Sequence, residues 1–316
     1  MLRFALRRVL QAIVVLFAIS VLTFLIFQVI PNGSPALRLA GQTATPQTIA
    51  AINRQWGFDK PIYVQYIDTM QKVLTGSVVS YSQQVNVVSQ IKRGLPATIS
   101  LALGAGLIWL VFGIALGAFS AVKAGKVTDR LLAVLALTGI STPSFVVGAL
   151  SLYIFGYRLR WLPLTGYVPI TQSPLQWFRH LVLPWFSLSV IYVGLYSRVL
   201  RSNMLDTMHE DYVRTARAKG LSELRVLLNH VLRTSLIPVV SLWGLDFAGI
   251  IGGGAILVEV VFNLNGVGQY AAESILTLDV PPILVIVMYG AALVVIVAAV
   301  VDVLYVALDP RVRLNA

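Results

Sequence analysis

Few side chains on this 316-residue chain are placed to do chemistry, and most of them stand in one polar island, residues 198–236. Its centre reads Glu210-Asp211-Tyr212-Val213-Arg214-Thr215-Ala216-Arg217-Ala218-Lys219-Gly220-Leu221-Ser222, with His230 and Pro238 further on. Elsewhere three carboxylates, Asp246, Glu259 and Asp302, are set in apolar stretches. The three histidines, His180, His209 and His230, lie outside those stretches, and no His-Glu-x-x-His pair is present to hold zinc. Without cysteine, neither disulfide nor thiolate chemistry is open to the chain. It also lacks a G-x4-G-K-[ST] phosphate loop, so it does not read as an ATPase. No metal site is expected. What remains is recognition, because a charged segment between two apolar stretches suits docking to a soluble partner.

Within the island, Leu200, Met204, Met208, Tyr212 and Ala216 recur every four residues, an apolar ridge on one helix face. Gly220 permits a turn, and Ser222 is placed to cap a second short helix over 223–229. Leu224, Leu227 and Leu228 give that second helix an apolar face, expected to lie across the membrane surface before Pro238 opens the next span. Periodicity alone also allows a solvated loop.

The elements that position the island follow from composition. Apolar residues make up 57% of the chain and charged ones 12%, about half the charged share of a soluble domain. Residues 9–30, 101–122, 131–157 and 181–197 contain no Asp, Glu, Lys or Arg. Residues 237–261 carry only Asp246 and Glu259, and 282–308 only Asp302. About 20 apolar residues cross a hydrocarbon core, and backbone in lipid must bond to itself. The expected fold is therefore an all-α integral membrane protein of six spans, one domain over 1–316. The first apolar run is too long for a signal-peptide core and reads as a retained span.

The net charge of +11 reports topology. With both termini inside, the inside segments hold 15 Lys/Arg in 66 residues, against 9 in 111 outside, as the positive-inside rule requires. No nucleic-acid role is needed to explain it. The outer segment 31–96 is long enough for a small helical cap. Thr45 and Pro46 start one helix, 62–74 reads as a second, and 78–88 as extended.

Two spans carry breakers. Ser141-Thr142-Pro143-Ser144-Phe145 predicts a kink in the third span, with a hinge lining a transport path as the sharper alternative. In the fifth, Gly249 and Gly253 stand four apart, a spacing that lets helices approach closely. A loosened gate is the alternative there. Asp246 lies nine residues past Ile237, about 14 Å into the bilayer, and reads as a structural acid or as part of a pathway.

The island resembles the cytoplasmic loop of permease subunits of ABC-type importers, whose pattern is E-A-A-x3-G-x9-I-x-L-P. Gly220, Ala216 and Leu232 fit that pattern. Arg214 and Thr215 replace its E-A, and His230 and Arg233 its isoleucine and proline. With Tyr212, Arg217-Ala218-Lys219, His230 and Ile237-Pro238, the run is similar to the dipeptide/oligopeptide/nickel branch. So are Arg7-Arg8, Leu95-Pro96-Ala97-Thr98, Ser141–Phe145, Glu259, Phe262, Gly266, Gly268 and Asp309-Pro310-Arg311, which look like that branch's first permease subunit. Pro31-Asn32-Gly33-Ser34-Pro35 departs from the branch's usual Pro-Gly-Asp-Pro.

The resemblance implies a type I importer permease of a bacterial cytoplasmic membrane, itself no enzyme. It implies a second homologous permease, two ATP-binding cassette subunits that carry the ATP and magnesium, and an external substrate-binding protein. Arg214, Ala216, Gly220, Ser222, Leu224, Leu227, Leu228 and His230 become the expected contacts to the ATPase. Pro143, Ser144, Asp246, Gly253 and Glu259 become the expected pathway or gate residues. Di- and oligopeptides lead as substrates, ahead of nickel chelates, glutathione, haem or sugars. A secondary transporter, an intramembrane enzyme and a self-contained channel are the rival readings, and none of them explains the island.

Overall fold

The computed structural model describes residues 2–29, 36 and 45–308. The 31–35 motif and the closing Asp309-Pro310-Arg311 lie outside the described residues. Helix α1 (Leu2–Phe24) runs on through a wider π turn, Leu25–Val29, as the first span. The outer cap follows as α2 (Pro46–Trp56) and α3 (Ile62–Thr75). Thr45 caps α2 as expected, accepting the Thr48 N–H at 3.3 Å. The stretch expected to be extended holds only one antiparallel bridge, Val79 to Asn86, because the next helix starts at Val87.

That helix, α4 (Val87–Val122), is 36 residues and about 54 Å long, well beyond the apolar run that announced it. α5 (Val127–Ser141) and α6 (Ser144–Ser151, extended by a π stretch Leu152–Arg158) form the third span. The two halves meet at 98°, so the expected kink is a full break. Pro143 has no N–H to give, and Thr142 is already extended at ψ 120°, so the ladder stops and restarts. α7 (Pro174–Met208) spans 35 residues where only 17 were uncharged, its ends being polar outside the lipid.

The centre of the bundle is α4 against α7. A Cβ on Gly117 would lie 2.7 Å from the Ser197 carbonyl, and one on Gly113 would lie 2.6 Å from Tyr196 Cβ. Small residues thus let two backbones touch, the way helices associate where lipid offers no hydrophobic drive. Leu101, Ala105 and Trp109 of α4 and Leu181, Leu188 and Leu200 of α7 fill the seam.

After the island, Arg233–Gly249 (α10) and a π stretch Ile250–Gly254 make the fifth span. The close approach expected of Gly249 and Gly253 falls elsewhere. Nothing stands within 4 Å of a Cβ on Gly249, while Gly252 and Gly290 meet with a Cβ-to-carbonyl distance of 2.7 Å. Gly253 takes φ 136°, which only glycine holds comfortably, and there the helix ends. A short hairpin of α11 (Ile256–Phe262) and α12 (Val267–Leu276) precedes the last span, α13 (Val280–Leu308), which carries Asp302. Among the described residues five helices are long and apolar enough to cross a membrane, six if the bent α5–α6 pair is one span.

Candidate functional site: the polar island and the intramembrane carboxylates

The island is folded, and against its own chain. The helix that leaves the fourth span ends at Met208, and α8 (Asp211–Ala218) starts afresh. The expected single ridge is therefore cut. Leu200 and Met204 stay buried, but in α8 the inward residues are Val213 and Ala216, while Tyr212 is 42% exposed and bonds Thr234 by its hydroxyl at 3.2 Å. The break re-phases the helix, which four-residue spacing alone cannot foresee.

Gly220 turns the chain at φ 77°. Across that turn Arg217 grips Glu223 with two bonds, Nε to Oε2 at 3.1 Å and Nη2 to Oε1 at 2.8 Å. The carboxylate pushes the Arg217 guanidinium above its ordinary value. Ser222 occupies the cap position of α9 (Glu223–Val226) but its side chain makes no capping bond. Nor is α9 a separate helix on the membrane surface. It runs through a π stretch, Leu227–Leu232, straight into α10, so one helix extends from Glu223 to Gly254.

This continuity sorts the three leucines. Leu227 turns inward and packs with buried Val226 and Val231 on the core that holds Leu200 and Met204. Leu224 and Leu228, 68% and 52% exposed, share the outer face. Arg214 also points outward, paired with Asp211 at 3.2 Å and bonded to the His209 carbonyl. His230 is half-buried. The outward surface that a partner could meet is therefore Arg214, Leu224 and Leu228, without Leu227 and with Ala216 behind it.

A further cluster, invisible to sequence reading, anchors the island's base. Buried Asp129 at the start of α5 accepts Arg201 Nε and Nη2, both at 2.7 Å. It also accepts Ser120 Oγ at 2.6 Å and the Gly125 N–H at 2.9 Å. Three helices are tied at one carboxylate. The Asp-Arg pair stands 72 residues apart in sequence, and no local pattern joins them.

The intramembrane acids differ in environment. Glu259 is fully buried. Thr98 Oγ1 donates to its Oε1 at 2.6 Å, the Gln269 N–H to its Oε2 at 2.9 Å, and the Val267 N–H to Thr98 Oγ1 at 2.9 Å. Its carboxylate thus faces the N-terminus of α12, the end of a helix where anions are favoured. A Cβ on Gly266 would fall 2.2 Å from Oε2, so that glycine makes room for it. Glu259, expected as a pathway or gate residue, has no exposed surface within this chain, and its bonds tie the hairpin to α4.

Asp246 is only half-buried. Tyr196 donates its hydroxyl to Oδ2 at 2.7 Å, and Oδ1 has no partner among the described residues. Trp109 stacks on Tyr192 at 4.5 Å beside this pair, forming an aromatic wall. Pro143 is exposed at the bend, and Ser144 is held by Ser187 Oγ, which donates to its carbonyl at 2.5 Å. The structure thus brings Asp246, half-buried, beside the buried Trp109 and Tyr196, Pro143 and Ser144 to a break, Gly253 to a helix end and Glu259 to a closed core. Among the described residues no cluster of His, Asp and Glu could hold a metal ion.

Long apolar helices joined by a folded polar loop define a multi-pass membrane protein, and the loop leaves Leu224 and Leu228 outward. Residues 113–314 match the family described as the binding-protein-dependent transport system inner membrane component, and residues 1–102 match the N-terminal component of the same systems. The chain belongs to this family of ABC transporter permeases, with the type I importer permease fold. It is 36% identical to a probable peptide ABC transporter permease of Sinorhizobium fredii, over 98% of this chain and 99% of that one. It is 39% identical to a putative peptide transport system permease of Brucella abortus, over 98% of both. To a glutathione transport system permease of Salmonella typhimurium it is 39% identical over 99% of both.

Proposed function

We propose that this chain is one of two permease subunits of an ATP-driven importer of short peptides in a bacterial cytoplasmic membrane, with both termini in the cytoplasm. A homologous second permease completes the pathway. Two ATPase subunits bind ATP and magnesium and dock on the island, and an external binding protein delivers the solute. The observation that carries this is the island itself: a loop packed firmly on its own span while Leu224 and Leu228 are left outward on a helix continuous with the fifth span. Force applied at that helix is carried directly to Asp246 and the break at Gly253. Peptide relatives over nearly the full length support the substrate class, and the glutathione relative marks a γ-linked tripeptide as the second choice.

The test is reconstitution with the partner subunits. ATP hydrolysis is expected to rise when the binding protein is loaded with di- or tripeptides. Stimulation by glutathione alone would select the second substrate, and a purified chain that retains no ATPase would overturn the assignment.

Orientation is checked separately. Single cysteines replacing Gln83 and Gln172, both exposed, are expected to react with an impermeant thiol reagent from outside, and one replacing Ser222 only after permeabilisation. The natural absence of cysteine makes the background clean. The reverse pattern would invert the topology.

Asp246 is proposed to line the pathway. A carboxylate near the bilayer midplane with one unpaired oxygen is costly against lipid, so its open side belongs to water or solute. Asp246→Asn keeps the shape and the Tyr196 bond and removes the charge. It is expected to lower uptake about tenfold, ~1.4 kcal/mol, at wild-type thermal stability. Unchanged uptake would remove Asp246 from the pathway, and loss of assembly would make it structural.

A further inference from the structure

Away from Asp246 the chain carries an apolar groove that its own side chains leave unfilled. It measures about 750 Å³ and lies between α4, α5 and α7. Its floor is set where α5 and α7 nearly touch: a Cβ on Gly194 would lie 2.6 Å from the Ala136 carbonyl, and one on Gly139 would lie 3.1 Å from the Val190 carbonyl. The walls are apolar and half open. Phe112, Leu137 and Phe186 are 55%, 51% and 49% exposed.

Along α4 the groove runs from Ile108 to Ser120, twelve residues or roughly 18 Å. That is close to the depth of one leaflet, half of a hydrocarbon core about 30 Å thick. Its polar end lies on the island's side, where Asp129, Arg130, Arg198 and Arg201 line it. Arg201 is committed to Asp129. Arg130 and Arg198 are exposed and have no ion pair among the described residues. An apolar trough one leaflet deep therefore ends in two uncompensated cations at headgroup level. Both halves of that arrangement are matched by one molecule with an acyl chain and a phosphate.

We propose that this groove binds one acidic phospholipid of the leaflet on the island's side. An acyl chain lies along Phe112, Leu137 and Phe186, and the phosphate is held by Arg130 and Arg198 with the Arg201–Asp129 pair behind it. The site joins α5, one half of the bent span, to α4 and α7, so its occupancy bears on the base of the island. Selectivity for acidic over zwitterionic lipid comes from the two unpaired guanidiniums, each contributing roughly 1 kcal/mol near an anionic surface.

The assembled transporter, solubilised with phosphatidylglycerol and phosphatidylcholine in equal amounts and examined by native mass spectrometry, tests this. Wild type is expected to retain phosphatidylglycerol selectively. The double variant Arg130→Gln/Arg198→Gln is expected to retain it about thirtyfold less, which is two charges at roughly 1 kcal/mol each. Ala133→Phe, which fills the groove while leaving the charges, is expected to expel the lipid as well. Equal retention of both lipids by wild type, or unchanged retention by the double variant, would overturn the proposal. Loss of the second permease from the double variant, in place of lipid, would show the groove to be a subunit interface and overturn it too.

Discussion

Leu224→Asp together with Leu228→Asp is expected to uncouple the transporter. Both side chains face outward on the helix that continues into the fifth span, 68% and 52% exposed, so the substitutions leave this chain's own core intact. At a docked surface they place two charges where apolar anchors are needed. An anchor at the centre of an interface is worth about 2 kcal/mol or more, so association with the ATPase is expected to fall at least thirtyfold. Transport falls with it, while membrane insertion and the yield of this chain persist. Association and peptide-stimulated hydrolysis both at wild-type level would show that this face is not the coupling surface. The comparison variant is Leu227→Asp. Because Leu227 is half-buried against this chain's own core, a charge there is partly desolvated, and the expected result is a lower yield of the folded subunit.

Glu259→Gln is expected to destabilise the hairpin of α11 and α12 although it changes only one atom. Both carboxylate oxygens accept: Oε1 from Thr98 and Oε2 from the Gln269 N–H. A glutamine amide offers one acceptor and a second donor that would oppose one of those two. If the amide turned its N–H toward Thr98, that hydroxyl could accept it on the lone pair left by the Val267 N–H, but its own O–H would lose its acceptor; if the amide turned the other way, the Gln269 N–H would lose its own. One buried group is left unsatisfied, at about 1–3 kcal/mol. Glu259→Ala opens a cavity and orphans both donors, so its cost is larger. Thermal unfolding of the purified complex is the readout, and both variants are expected to lose stability in that order. A Glu259→Gln protein of wild-type stability but altered solute preference would instead put this residue in the pathway.

Gly266 and Gly268, noticed as part of a family pattern, find their reason here. A Cβ on Gly266 would enter the Glu259 carboxylate, and one on Gly268 would come within 3.0 Å of it. The glycines and the acid are one device, legible as chemistry only once folded.

The sequence by itself determined the class of the protein. Uncharged runs of about 20 residues leave a chain only the bilayer, and lipid leaves the backbone only the helix. The Thr45-Pro46 start set a cap helix and Gly220 set a turn, since each depends on one or two adjacent residues, while the distribution of Lys and Arg over the whole chain gives an expected orientation. The island's resemblance placed the family, which the matches over residues 1–102 and 113–314 confirm.

Tertiary structure decided what touches what. Helices α4 and α7 extend far past their apolar runs because polar residues continue a helix outside lipid as readily as apolar ones do inside it. Which residues of the island face outward depended on a break at His209 and on α9 running into α10 without interruption, and neither leaves a trace in four-residue spacing. Asp129 found Arg201, and Glu259 found Thr98, across 72 and 161 residues. A buried carboxylate is tolerable only with such partners, and the chain between them carries no record of the pairing because the requirement arises only when packing excludes water.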